Sequence, residues 1–545
     1  MLNKTLALLA FAAFTSQTIA DDTVRSRFPE KPHSRADTYT RMFAGLPPFA
    51  PQTERIRNSA SQLGAKGGLL DAQDDLSDPL QSIIDPARFS PNNADNPQMT
   101  AGATFVGQFL DHDITFDRRS ALRANADPSR TENFRSAAFD LDHVYGEGPS
   151  DSPELYDRTG ADIKMRIEAI PGSDSVSRNG FIRYDLPRDQ FGAAIIGDSR
   201  NDENVIVSQL HLAMLRFHNA VTDRIRTSDA DQRLTAMQVF ERAKRQVQWH
   251  YQWIILNEFL PQLIGQERID QIFDENLPFF RASQRRNSGG QPASERHSDR
   301  QQSHSRAKQP RIPIEFAAAA YRFGHSQVRP SYRVNFGLDD DSQFFAFVLD
   351  NRVDPNAADP DDLRGGRRAA RRFIDWQTFF DFGDGNVRNN KRIDSKISTI
   401  LFELPGSVVP APGLPSDGVI SLASRNLLRH VNFGLPAGQE IARTIGVTAL
   451  TENQLSDLAP FGMAQSTPLW VYILKEAELL EDGLRMGPVG ARIIGEVFIG
   501  LLMADQDSYV VVNPQWRPNL PSRNGAGQFD VVDLLNMAGV VTPIR

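Results

Sequence analysis

A mainly helical fold is what this sequence predicts, and three sets of residues carry that expectation. Residues 104–116 are mostly apolar, with no Gly or Pro after Gly107, which favours helix. Residues 209–219 and 236–265 place their apolar residues at helical spacing. Residues 489–504 form a long apolar run interrupted only by Arg492 and Glu496. Those charges mark a buried core helix and not a membrane span.

The chain has 545 residues, 40% hydrophobic and 23% charged, as a soluble globular protein has. A net charge of −8 gives no electrostatic case for binding nucleic acid. There are no cysteines, which excludes disulfides, thiolate metal sites and cysteine nucleophiles. At the N-terminus, Lys4 precedes an apolar run over 6–14, and Thr18-Ile19-Ala20 offers a small-residue cleavage site. Residues 1–20 therefore read as a signal peptide, and the protein as secreted or periplasmic. An exported chain without cysteine suits a bacterium better than an animal. Residues 21–95 are polar and rich in Pro and Ser, with short apolar patches such as 42–49. They are expected to form an arm packed on a main domain over 96–545. No internal repeat is visible.

On the helix at 104–116, Gln108 and His112 are four apart and share a face, with Asp111 at its edge. Asp113 points about 100° away from His112. Burying these polar groups on so apolar a stretch is costly without partners. Taken alone, Asp-His-Asp is compatible with a solvated face or a minor metal site as well as with a functional one.

Downstream, Asp140 and Asp142 alternate with backbone carbonyls in 136–146. Such a pattern offers hard oxygen ligands to a hard cation, though Asp-x-Asp also serves turns and caps. Gly197-Asp198-Ser199-Arg200 then leads through Glu203 into the helix at 209–219. Arg200 and Glu203 alone would read as a surface ion pair, worth little. His211 and His218 on that helix are expected to pack or cap. Residues 316–326 carry four alanines, which permit close approach, followed by Arg322 and His325, three apart on one helical face. Asn426 and Arg429 again share a face.

Taken together, these segments resemble the animal-type haem peroxidases, the myeloperoxidase and lactoperoxidase superfamily. Gly107-Gln108-Phe109-Leu110-Asp111-His112-Asp113 is similar to the family's distal helix, and four further segments match in the family's order over most of 104–502. The resemblance implies a multi-helix domain with little sheet and a haem b between distal and proximal helices. It implies His112, Arg200 and Gln108 as catalytic residues and His325 as the iron ligand. Asn426 would accept the His325 N–H, and Arg322 and Arg429 would meet the haem propionates. Asp111 and Glu203 take the places of the ester-forming carboxylates. Asp113, Ser136, the Ala138 carbonyl, Asp140 and Asp142 take those of the Ca²⁺ ligands. A Ca²⁺ held beside His112 would fix the distal helix. Asn204 stands where a Met makes a third haem link in myeloperoxidase, so no sulfonium bond is expected. Val431, Asn432 and Phe433 depart from the family's Arg-Asp-His run.

The activity so implied is reduction of H₂O₂ with oxidation of a halide, pseudohalide or small organic donor, chloride being the least favoured. Two alternatives stand beside it. A fatty-acid dioxygenase of the same superfamily needs a tyrosine three residues before the proximal His, where this chain has Arg322, with Tyr321 off the required side. A haem-free, calcium-stabilised secreted binding module would be colourless. Two further stretches read as solvated: 283–310, with six basic and two acidic residues and almost nothing apolar, as a disordered loop; and 354–372, an acidic run followed by an arginine-rich one.

Overall fold

The computed structural model describes residues 37–80, 82, 90–118, 120–177, 179–228, 233–286, 310–337, 343–354, 356–366, 368–406 and 418–543. The expected signal peptide at 1–20 lies outside them, as does most of the expected loop at 283–310. Its first residues, 283–286, instead finish a helix, Pro278–Arg286.

Helices dominate the described residues. In chain order, those that place the site are α1 (Glu54–Leu63), α2 (Gly102–Ile114), α3 (Val205–Thr227), α4 (Ala236–Ile254), α5 (Leu260–Ile264), α6 (Pro278–Arg286), α7 (Ile314–Ala318), α8 (Gly324–Gln327), α9 (Leu422–Asn432), α10 (Leu469–Leu480), α11 (Pro488–Ala504) and α12 (Val531–Met537). Sheet is confined, among the described residues, to two-stranded pairs. Asp95–Thr100, which leads into α2, pairs antiparallel with Asn389–Lys391, and this pairing anchors the start of α2.

α2 is buried on nearly every side, including His112 and Asp113. α3 starts at Asn204, whose side chain accepts from Val207 N, a standard N-cap. α4 starts on a capping box from Thr235 and Gln238. It continues through a π-helical turn, Ile255–Phe259, into α5. α11 is buried along most of its length, with Val489, Ile493, Val497 and Leu501 all inaccessible. No described helix is long and apolar enough to cross a membrane.

The segment at 37–80 contributes to the same core as the helices. Tyr39, Met42, Phe43, Phe49, Leu63 and Leu70 are buried in one continuous apolar cluster with α2, α3 and α11. Its backbone is tied down by the buried Glu315, whose carboxyl accepts from Met42 N at 2.9 Å and Phe43 N at 3.1 Å. α1 lies on α9, where Ser424 Oγ donates to the Gly64 carbonyl at 3.0 Å.

Two expectations are corrected. Three arginines of the run at 364–372 are not solvated: Arg364, Arg368 and Arg372 are 6%, 9% and 0% exposed, whereas Arg371 and the acidic residues Asp354, Asp359 and Asp361 lie at the surface as expected. Arg368 pairs with Asp202 at 2.9 Å and Asp185 at 3.3 Å, and Arg364 with Asp362 at 2.8 Å. Arg372 donates to the Asp362 and Arg364 carbonyls. Buried guanidiniums need such partners. The alanine-rich stretch is also not one helix. It breaks at Ala319 (φ −137°, ψ −68°), between α7 and a 3₁₀ turn over Ala320–Phe323. Trp470 Nε1 on α10 donates to the Arg322 carbonyl at 3.1 Å, within the 3₁₀ turn that follows the break.

Candidate active site

α2 and the α7–α8 segment face each other across a cavity of about 340 Å³, within the range of small-molecule sites. Gln108, Asp111, His112, Arg200, Glu203, Arg322, His325 and Arg429 all line it. Asn426 reaches it through His325. Every residue expected at the catalytic and cofactor positions is therefore brought to one place.

On the α2 side, the His112 Nδ1 lies 2.8 Å from Asn201 Oδ1. An amide oxygen only accepts, so Nδ1 carries the proton and Nε2 keeps its lone pair. The Asn201 amide then donates to His211 Nδ1 at 3.0 Å. All three residues are buried. Burial, reinforced by Arg200, lowers the His112 pKa to about 4, so the imidazole is neutral at pH 7. Arg200 is clamped from three directions. Asp198 takes two of its nitrogens, the His112 carbonyl accepts from NH2 at 3.1 Å, and the Phe116 ring lies 4.0 Å beneath it. Burial alone would raise the Asp198 carboxyl. Arg135 and Arg200 outweigh it and hold the group well below the usual carboxylate range. Burial lifts Glu203 to about 7; its carboxyl accepts from the Gln108 amide. Asn204 Nδ2 donates to Gln108 Oε1 at 3.3 Å.

The opposite wall is less wired. Burial, with Arg322 and Arg429 nearby, lowers His325 to about 3, leaving it neutral. Its Nδ1 meets the Asn426 side-chain amide at 2.8 Å through the amide nitrogen, and Asn426 Oδ1 is left buried without a partner. Turning the amide over satisfies that oxygen, which then accepts from Nδ1–H and leaves His325 Nε2 with its lone pair. Arg322 donates Nε to the Ala317 carbonyl at 3.0 Å, and Arg429 reaches Asp117 at 3.2 Å. Tyr321 also lines the cavity. Its hydroxyl donates to the Gly107 carbonyl at 3.1 Å.

Asp113 faces away from the cavity, as the helical period requires, toward the loop at 136–146. His143 Nδ1 lies 2.7 Å from Asp113 Oδ1, and Tyr251 donates to Oδ2 at 3.0 Å. Ser136 Oγ donates to Asp140 at 2.8 Å and its N–H to Asp142 at 2.9 Å. One ligand atom each from Asp113, Asp142 and His143 lies within 4.8 Å of the others. Burial, then the neighbouring Asp140, pushes the Asp113 carboxyl well up. Gly197 fits this loop against the Arg200 segment: a Cβ there would lie 2.6 Å from the His143 carbonyl.

Sequence reasoning missed Asn201, His211, Asp198 and His143 as members of the site. Asn201 and Asp198 flank Arg200, and His143 follows Asp142, so their places beside named residues were the available signal.

These features set two neutral imidazoles, with guanidiniums and carboxyls beside them, around one cavity on a helical scaffold. The animal haem peroxidase family model matches residues 119–351. Thyroid peroxidase of Sus scrofa is 24% identical over 428 residues, covering 73% of this chain and 40% of that protein. Heme peroxidase 2 of Caenorhabditis elegans is 23% identical over 477 residues, covering 82% and 56%. Among solved structures, peroxidase A from Dictyostelium discoideum shares the fold, with a TM-score of 0.52 at 15% identity over 87% of this chain and 88% of that one. These matches support a place in the animal-type haem peroxidase superfamily. It spans about 40% of the length of the thyroid peroxidases it matches.

Proposed function

We propose that this protein reduces H₂O₂ and oxidises a halide, pseudohalide or small organic donor, with haem held between α2 and α8. One observation carries the reading: a neutral His112, a charged Arg200 and a neutral His325 line one cavity. The donor set fits haem. His325 offers an imidazole lone pair for iron, and the orphaned Asn426 oxygen fits a partner for its N–H. Arg322 and Arg429 offer guanidinium donors to propionates, and Asp111 and Glu203 offer carboxyls for ester links.

Bound haem would supply the redox chemistry, accepting oxidising equivalents from peroxide and passing them to the donor. The chain's own residues handle the protons and the charge. His112, its Nδ1–H held by Asn201, takes a proton from one oxygen of H₂O₂ at Nε2 and returns it to the other as the O–O bond breaks. Arg200, already oriented by Asp198, stabilises the negative charge that develops on the departing oxygen. Gln108 hydrogen-bonds the small molecules that enter beside His112. Asn204 is occupied as the α3 cap and as donor to Gln108, so it adds no haem link; iodide, bromide and thiocyanate are the favoured inorganic donors.

The loop at 136–146 would hold Ca²⁺ with Asp113, Ser136, the Ala138 carbonyl, Asp140 and Asp142. Three carboxylates and a hydroxyl are the right chemistry for a hard cation, and a cation there would relieve the carboxyl crowding at Asp113. Export as a secreted or periplasmic protein belongs to the same reading.

The test is an optical spectrum of the haem-loaded chain before and after equimolar H₂O₂. A Soret band that shifts at once and returns on adding iodide or bromide supports the reading. Haem bound but inert to peroxide overturns the mechanism, and failure to take up haem overturns the function. A second reading, oxygenation of a fatty acid, is favoured by Tyr321, whose phenol shares the cavity with Leu401, Leu404, Leu422 and Phe433. Oxygen uptake on addition of a fatty acid, abolished by Tyr321→Phe, would establish it over the first.

A further inference from the structure

Behind α2 lies a second cavity, of about 360 Å³. The back of α2 bounds it at Ala103 and Val106, the π turn at Asn257, Glu258 and Phe259, and the approach to α12 at Phe529. Phe259 lines both this cavity and the catalytic one. Its ring edge lies 3.3 Å from where a Cβ on Gly107 would stand, so Gly107 lets the ring close against the distal helix. One aromatic side chain thus stands in both walls. The π turn that presents it is a rare conformation, concentrated at functional sites in proteins generally.

The walls combine two characters. Trp253, Phe259, Phe380 and Phe529 are aromatic. Glu258, Asp381 and Asp530 face a single cation, Arg523. That cation is already committed, to Asp530 at 3.0 Å and to the Asp381 carbonyl at 3.1 Å. Asp530 is occupied in turn as the α12 cap. The Glu258 carboxyl accepts from Val531 N at 2.9 Å through Oε2, and its side chain holds no further hydrogen bond among the described residues. Burial, with Asp530 nearby, lifts its carboxyl to about 8. A bound ammonium would stabilise the ionised form that burial disfavours. Acidic groups beside aromatic faces suit a cation carried on a ring, by ion pairing and by attraction to the ring quadrupole. The same charges repel a carboxylate.

We propose that this cavity is a binding site for small aromatic amines, the ammonium held by Glu258 and Asp381 and the ring by Phe259, Phe380 and Phe529. An occupant there touches Phe259 and the back of the helix that carries His112. The site goes beyond the peroxidase reading, and its occupancy does not depend on it.

Isothermal titration of the haem-loaded full chain, without peroxide, tests it with two probes of one ring and opposite charge: tyramine and 3-(4-hydroxyphenyl)propionate. Tyramine is expected to bind at least ten-fold more tightly. Glu258→Gln, which keeps the acceptor for Val531 N, should weaken tyramine at least five-fold. Gln262→Trp, at the exposed rim, should abolish its binding by filling the mouth. Equal affinity for the two probes, no tyramine binding, or tyramine binding unchanged in both variants would each overturn the proposal. The last would place the amine in the catalytic cavity. None of these outcomes bears on whether peroxide reacts.

Discussion

The two walls of the catalytic cavity are built differently. On the α2 side, the polar groups form a chain of partners within the protein: His112 on Asn201, Asn201 on His211, Arg200 on Asp198, and Asp198 on Arg135. On the α8 side, among the described residues, the two guanidiniums have one carboxylate in ion-pair contact, Asp117 on Arg429, and the neutral imidazole has the Asn426 amide. The first wall is preorganised, with donors and acceptors fixed before substrate arrives. The second is electrostatically incomplete and positively biased, as a surface that completes itself with an anionic cofactor should be. Substitutions on the two walls should therefore fail in different ways.

The largest effect is expected on the incomplete wall. His325→Ala removes the one neutral imidazole there. On the proposed function it should abolish the Soret band of the reconstituted protein and reduce peroxide turnover by on the order of 10³-fold or more, the loss expected when a cofactor leaves. Stability without haem should change little. A variant that keeps a normal Soret band would remove His325 from its proposed role.

At Asp198, on the preorganised wall, the damage should fall on the fold. Asp198→Asn leaves Arg135 and Arg200 buried with their shared counter-charge gone. Breaking a buried pair in this way costs roughly 3–5 kcal/mol, read as a lowered midpoint in urea with haem absent. A midpoint within experimental error of the parent's would mean that water replaces the carboxylate there and that the wall is less closed than its hydrogen bonds suggest.

How much of this contrast was legible in the sequence depends on the distance between partners. Helix α2 was legible because its apolar period and the Gln108–His112 spacing are local. So was the direction of Asp113. The broken segment around Ala319 was not: four alanines read as continuous helix, and the turn that follows the break is met by Trp470, 148 residues away from Arg322. Arg368 read as solvated because its counter-charges, Asp185 and Asp202, lie far back in the chain; for Asp202 the separation is 166 residues. Asn201 went unread for another reason. An amide beside an arginine has no pattern of its own until the fold brings His112 and His211 to its two ends.

That amide gives the next test. Asn201→Ala removes the acceptor that fixes the His112 tautomer and leaves His211 Nδ1 without its donor. The loss of one hydrogen bond to a buried group costs about 1–3 kcal/mol, so the rate of reaction with H₂O₂ should fall by roughly ten- to a hundred-fold. Haem binding, which the other wall governs, should be unchanged. An equal fall in both would show that Asn201 supports the fold as a whole and does not act through His112.

The smallest effect sharpens the contrast at the frame behind the incomplete wall. Glu476 lies on α10, the helix whose Trp470 holds the Arg322 carbonyl. Its Oε2 accepts from Val489 N at 2.8 Å, while Oε1 is buried without a partner. Burial lifts this carboxyl to about 8. An unpartnered buried oxygen is tolerated as O–H and penalised as O⁻. Because the folded-state pKa lies above the unfolded value, the contribution is fully present below about 4.5 and is lost as pH rises through about 8. Within that window the unfolded state releases its proton first, so stability falls with pH by up to ~1.4 kcal/mol per unit from this one group. Glu476→Gln keeps the acceptor for Val489 N and cannot ionise. Urea melts of parent and variant between pH 5 and 8 should diverge steadily, the parent losing stability faster. Parallel curves would mean that Glu476 ionises in the fold at no cost, and that the frame behind the α8 wall is more polar than its burial implies.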